Sequence, residues 1–337
     1  MTAIGLRDGS RVIAGVLFSA LVVACSAEGS LGGTFDHVHR TPARNAARSS
    51  ATEPFQPSTA VLYEPGAARS FLVLAPGTLD NGEWSTVFRT SCDGRPDSTP
   101  TSVRYASAGV PVVVIERQQT GVRFELSFAL VPDPALSAPA ASVLIMAWNT
   151  DRRAHLVGVS TGFFTGRERL GYVAPDVQEN AHIEPRWAST DGGKPAHGWV
   201  APVLREPLQG QWSLAPGESV GFRYIIPAYA ESESTLRRLG QLSHRALVRW
   251  VGLRWSAALD TGVVLRISDR TVTDAFRSAV SVLLGCTQTR EGREVPIGNP
   301  LQYRDVWLRD GSRCAASLAM AGHIGLARQI VLGFLAY

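Results

Sequence analysis

The chain is almost without lysine: Lys194 is the only one, although lysine and arginine together number 33. The net charge of +4 is therefore carried by arginine, and the arginines are scattered. With no basic run and no interleaved aromatics, the chain lacks what a nucleic-acid surface needs to follow phosphates, so a nucleic-acid partner is not expected. No apolar run reaches the roughly 20 residues of a transmembrane helix. Cysteines are few, and Cys25, Cys92, Cys286 and Cys314 show no metal-ligand spacing. No metal and no cofactor are expected from motifs. Cys286 and Cys314 leave two readings open: a bridge, or two buried thiols on neighbouring helices. The pair His37 and His39 reads better as solvated linker than as metal ligands, because no third ligand lies nearby.

What is present is enough for a sizeable core. With 337 residues and 45% apolar content, the chain has material for about two domains. The hexapeptide LRDGSR occurs twice, at Leu6–Arg11 and at Leu308–Arg313. The first copy precedes an apolar run from Val12 to Ala24 that ends in small residues. A charged start, about a dozen apolar residues and a small-residue break describe a secretory signal peptide over residues 1–25. Val22-Val23-Ala24-Cys25 also resembles a bacterial lipobox, so Cys25 is the expected lipidation site; an ordinary cleaved signal that contains a Cys is the alternative. The protein is then exported to a bacterial cell envelope and held on the membrane by a lipid anchor. Residues 26–58, rich in Gly, Ala, Ser, Arg and Pro, read as a flexible linker.

From residue 59 the chain turns to short extended segments separated by turn residues. Val61–Tyr63, Phe71–Leu74, Val87–Thr90, Val103–Ala106 and Val112–Glu116 are expected strands. Val143–Trp148, Leu156–Phe164, Trp199–Leu204 and Val220–Ile226 follow the same rule. The clearest is Val122–Leu130, where Val122, Phe124, Leu126, Phe128 and Leu130 alternate with Arg123, Glu125, Ser127 and Ala129. Together they predict a large antiparallel β-sandwich over residues 59–230.

The period then becomes helical. Leu236, Leu239, Leu242, Ala246, Leu247 and Trp250 predict one amphipathic helix of about 25 residues, and Gly262–Ile267 reads as a strand-like insert; residues 231–268 form a linker helix and connector. Thr271-Val272-Thr273-Asp274 resembles a capping box and opens a helix whose apolar face carries Val272, Ala275, Phe276, Ala279, Val280, Leu283 and Leu284. A second helix is expected from about Asp310 to Ala321 and a third from near Leu326. The third has no stop signal before residue 337, so the helical part, residues 269–337, is expected to be cut short within a domain.

The second hexapeptide copy lies in Gly298-Asn299-Pro300-Leu301-Gln302-Tyr303-Arg304-Asp305-Val306-Trp307-Leu308-Arg309-Asp310-Gly311, a loop expected to join the first helix of this part to the second, its glycine and proline breaking the first. Loops display binding groups. Taken alone, Asp310 reads as an acid near a helix N-terminus and Trp307 as a core aromatic. Yet the order of sandwich, linker helix, Asp269-Arg270…Asp274-Ala275-Phe276-Arg277 and this Trp-x-Arg-Asp-Gly loop resembles the bacterial glucoamylase-like group of six-hairpin glycosidases. That resemblance implies a fold of β + α class in two domains, the sandwich being followed by the first helices of an incomplete (α/α)6 barrel.

It also implies an oligosaccharide or polysaccharide substrate. Arg309 would donate to sugar oxygens, Asp310 would accept from two neighbouring hydroxyls, and Trp307 and Tyr303 would line or stack on the ring. Arg304 and Asp305 serve equally as a salt bridge fixing the loop. Glycoside hydrolysis needs two carboxyl groups flanking the bond, and after Asp310 the chain has no Asp or Glu up to Tyr337. No residue is therefore assigned a catalytic role, and the chain alone is expected not to hydrolyse. The other reading is a non-catalytic surface lipoprotein whose sandwich binds a glycan or a protein.

Overall fold

The computed structural model describes residues 59–67, 69–75, 77–81, 84–96, 102–131, 133, 136, 139–165, 201–202, 210–228, 233–299 and 304–335. The expected leader with Cys25, the linker, the His37/His39 pair and Tyr303 lie outside the described residues. The chain divides into two compact units, the first holding the described residues up to 257 and the second those from 258 onward. Among the described residues no helix is long and apolar enough to cross a membrane.

The first unit is built on two antiparallel sheets. One is ordered β1 (Thr59–Leu62), β2 (Phe71–Leu74), β3 (Thr78–Asp80), β4 (Trp84–Cys92), β10 (His155–Thr165), β12 (Gly210–Leu214), with the short β5 (Arg95–Pro96) paired to β4. The other is ordered β11 (Ala201–Pro202), β13 (Ser219–Pro227), β9 (Ala140–Asn149), β8 (Val122–Val131), β7 (Val110–Gln119), β6 (Ser102–Ser107). Their inner faces share one core, in which Phe88 of β4 meets Phe128 of β8 and Tyr224 of β13 with ring centroids 6.0 and 5.2 Å apart. Antiparallel sheets sharing a core are compatible with the predicted sandwich. Of the predicted strand Trp199–Leu204, only Ala201–Pro202 is described.

Strand β8 shows how its residues choose their faces. Val122, Phe124, Leu126 and Phe128 point into the core, as alternation predicts. The other face begins with Arg123 exposed and Glu125 half-buried, then closes over Ser127 and Ala129. The residues shrink where something covers them. The cover is helical: Leu239 and Leu247 pack with Val131, Ala140 and Ile225 in a second apolar cluster. These two leucines belong to α1 (Glu233–Gly240) and α2 (His244–Asp260).

The expected single helix of about 25 residues is thus two. Apolar spacing continues through Leu239, Leu242 and Leu247, but the chain turns at Gln241–Ser243, where Leu242 N–H donates to the Leu239 carbonyl. Gly240, a poor helix former, is the last residue of the first of them. The break also brings His244 into the sheet, where its imidazole bridges Ser142 Oγ at 2.9 Å and Ser127 Oγ at 3.0 Å.

In the second unit Gly262–Ile267 is not a strand. Val263, Val264 and Ile267 are exposed, and the Val263 amide donates to the Ala321 carbonyl at 2.7 Å. Helix α3 (Arg270–Gly285) is capped by Asp269, whose carboxylate accepts from the Thr271 and Val272 amides. The expected capping box at Thr271–Asp274 is therefore displaced, and Asp274 instead pairs with Arg270 at 3.7 Å. The helix ends at Gly285–Cys286 rather than at Gly298-Asn299-Pro300. A hairpin intervenes, β14 (Thr287–Arg290) and β15 (Arg293–Pro296), turned by Glu291 and Gly292 at φ 50° and 74°. Two successive positive φ values are the signature of a type I′ hairpin turn.

Helix α4 (Leu308–Met320) starts two residues before the expected Asp310, and α5 (Ile324–Phe334) two before Leu326. Cys286 and Cys314 are both free and buried, so the unbridged reading stands. Burial pushes the Cys314 thiol up to about 12, and the same cause raises Cys286 further.

Candidate functional site

The WLRDG residues sit at the entrance of α4. Trp307 is the residue before its first turn, with extended backbone and no side-chain cap. It is 51% exposed, which corrects the reading of it as a core aromatic. Arg309 is exposed and its Nε lies 3.3 Å from Asp310 Oδ1. Asp310 occupies the first turn, where the helix dipole favours a carboxylate. An indole face, a guanidinium and a carboxylate thus share one exposed helix start. Just upstream, the Arg304 carbonyl accepts a hydrogen bond from the Arg290 guanidinium of the hairpin, while Asp305 is exposed.

Gly311 has a packing role of its own. A Cβ there would stand 2.4 Å from Phe334 Cζ of α5 and 2.4 Å from Pro296 Cγ of β15. Gly311→Ala gains about 1 kcal/mol of helix propensity and incurs about 1–3 kcal/mol of overpacking, because the proline ring cannot rotate away. A net destabilisation of up to about 2 kcal/mol is expected in urea unfolding. An unchanged or raised midpoint would show that the helices simply part.

A second constellation lies in the first unit, and its parts are far apart in sequence. Asp93 follows β4 at φ 51° in a tight Asp93-Gly94 turn, and Asp151 lies on the β9–β10 loop. Between them stands His155, the first residue of β10, which is buried. Its Nδ1 is 2.9 Å from Asp93 Oδ2 and its Nε2 is 3.0 Å from Asp151 Oδ2. Cys92 Sγ lies 3.7 Å from the same Nδ1. Each carboxylate is held from its other side: the Leu156 amide donates to Asp93 Oδ1 at 2.9 Å and the Arg152 amide to Asp151 Oδ1 at 2.7 Å.

Close approach of the β9–β10 loop depends on Gly121, since a Cβ there would stand 2.6 Å from Asp151 Cβ. The hydrogen bond to Asp93, helped by that to Asp151, holds His155 above its ordinary value against the effect of burial. The backbone amides, then His155, hold both carboxylates below theirs. Burial, then Asp93, raises the Cys92 thiol. The Asp93-Gly94 dipeptide is a strong turn signal, but nothing in the chain order links it to a histidine 62 residues later.

The first unit also carries an open groove of about 500 Å³ on the outer side of β4 and β10, lined by Arg89, Ser91, Gly94, Ser160 and Gln211 among others.

No family model matches this chain, and no curated protein matches it.

Proposed function

We propose that the chain is a carbohydrate-binding protein of the glucoamylase-like kind, with a second unit related to the opening of a six-hairpin barrel. It holds a terminal sugar at the start of α4. One observation carries this reading: an exposed Trp307, an exposed Arg309 and a half-buried Asp310 paired with it fall within four residues at one helix entrance. A sugar ring offers an apolar face for an aromatic ring and adjacent hydroxyls for a carboxylate and a guanidinium. Hydrogen bonds to charged groups contribute about 1.5–3 kcal/mol each. Tyr303, outside the described residues, enters the proposal on the sequence resemblance alone. Export and a lipid anchor at Cys25 complete the proposal and rest on the leader-like sequence.

Titration of the purified chain with maltose-like oligosaccharides tests it. Trp307→Ala and Asp310→Ala should each weaken binding about tenfold or more, as 1.4 kcal/mol is a factor of ten. The second reading, a glycan or protein bound by the β unit, draws on the groove beside Arg89 and Gln211. Binding that is indifferent to Trp307 and Asp310 but lost in Gln211→Ala would replace the first reading with the second.

A further inference from the structure

We infer that Cys92, Asp93 and His155 form a binding site for one divalent transition-metal ion of the zinc class, with Asp151 fixing the imidazole from behind. The three donor atoms, a sulfur, a carboxylate oxygen and a ring nitrogen, all lie within 4.8 Å of one another. A tetrahedral zinc centre sets its ligand atoms apart by roughly 3.5 Å for sulfur to nitrogen and roughly 3.3 Å for nitrogen to oxygen, given the usual bond lengths. The observed separations are 3.7 Å from Cys92 Sγ to His155 Nδ1 and 2.9 Å from Nδ1 to Asp93 Oδ2. For these two pairs an ion requires shifts of a few tenths of an ångström, and the sulfur lies within 4.8 Å of the carboxylate oxygen.

The surroundings favour this occupant. Metal-bound histidines hand their second ring nitrogen to a carboxylate, which fixes the tautomer and the ring plane. Here Asp151 accepts from Nε2 at 3.0 Å, leaving Nδ1 as the ligand atom. Asp93 is divided in the same way: Oδ1 is engaged by the Leu156 amide and Oδ2 faces the imidazole. Cys92 and His155 are 1% exposed, whereas the Asp93 side chain is 40% exposed, so a fourth position opens to water on that side.

A thiolate and an imidazole select zinc-class ions over magnesium or calcium. Thiolate, carboxylate and neutral imidazole total −2, which the ion neutralises. On binding, the Cys92 thiol proton and the proton on His155 Nδ1 leave to solvent, two bonds to hydrogen being replaced by two bonds to the metal.

An imidazolium clamped by two carboxylates would account for Asp93, His155 and Asp151 with no metal at all. It uses Cys92 only as a core side chain, although its sulfur lies 3.7 Å from the same nitrogen. The metal reading uses all four residues.

Cobalt(II), which substitutes for zinc and is coloured by thiolate ligation, is the probe. Added to the purified full chain, it should give a thiolate-to-cobalt charge-transfer band that saturates at one equivalent and is bleached by zinc. Cys92→Ala should abolish the band. Because Cys92 lies in the core, Asp93→Asn decides: Asn tolerates the positive φ of that position, and it should weaken cobalt binding at least tenfold with the fold intact by circular dichroism. Asp151→Asn should cost about 10–100-fold. Zinc should raise the melting temperature of the wild type and not of Asp93→Asn. Absence of the band, or a band of full strength and affinity in folded Asp93→Asn, would overturn the site. Neither result touches sugar binding at Trp307.

Discussion

Between pH 7 and pH 4 the chain should lose about 3 kcal/mol of stability through His244 alone, the sum following from a drop in its pKa from 6.5 to about 4 on folding. The imidazole is buried beneath the start of α2, where removal from water, then the nearby Arg223 guanidinium, disfavours its charged form. In the unfolded chain it takes up a proton near pH 6.5; in the folded chain it resists until about pH 4. Above pH 6.5 both states are neutral and the group contributes nothing to the pH dependence. Below that value the unfolded state binds more protons, so stability falls with pH until the folded residue also titrates.

The other groups can be separated from this window. His155, raised on folding, gives its stability in full below 6.5 and loses it only as pH rises, so it is flat between 6.5 and 4. Asp93 and Asp151, lowered on folding, start to lose theirs only near 3.8 and below. Glu64 is raised by burial against the attraction of Arg254 and works in the opposite direction, and His323 of the second unit, lowered by burial, works in the same direction. Subtraction removes both. His244→Gln keeps an amide for Ser127 and Ser142 and cannot charge, so urea unfolding of the two proteins at pH 7 and pH 4 should differ by the stated amount. Parallel pH profiles would show that His244 meets water.

Why the sequence spoke clearly at some positions and not at others has a physical reason in each case. Strand β8 was expected at Val122–Leu130 and spans Val122–Val131 because one face is continuously apolar. The β14–β15 hairpin escaped notice because Thr-Gln-Thr-Arg at Thr287–Arg290 has no apolar alternation; the Glu291-Gly292 turn was its only signal. The break between α1 and α2 was hidden by leucines that keep helical spacing across it, and Gly240 and Ser243 were the quieter cue. At the helix entrance, Trp307, Arg309 and Asp310 were legible as a motif, but Gly311 was not legible as the point where α5 and β15 press on α4. The Cys92, Asp93, Asp151 and His155 cluster was invisible because only the pairing of β4 with β10 and the folding back of the β9–β10 loop bring it together. Spacing along the chain finds ligands on one helix or one hairpin, not ligands assembled by a sheet.

Phe88→Ala should cost about 3–5 kcal/mol of stability. Phe88 is fully buried at the centre of β4 and is the inward residue that touches two strands of the opposite sheet, through Phe128 and Tyr224. Truncation removes the transfer energy of the ring and leaves a void that two neighbouring strands cannot close, since each is held by its own ladder. The edge-on contact with Phe128 adds about 0.5–1.5 kcal/mol beyond burial. Phe88→Leu, which refills most of the space, should cost well under half as much, and similar losses for the two variants would refute the cavity account. The comparison belongs in urea, read as a shift in midpoint with unchanged slope. Phe88 also shares its strand face with Cys92, and the pairing of β4 with β10 sets Phe88 opposite Thr161 and Cys92 opposite Val157. A slip of one residue would turn every side chain of β4 to the other face, carrying Cys92 away from His155. The ring that anchors the core therefore also sets the register on which the thiol and the imidazole meet.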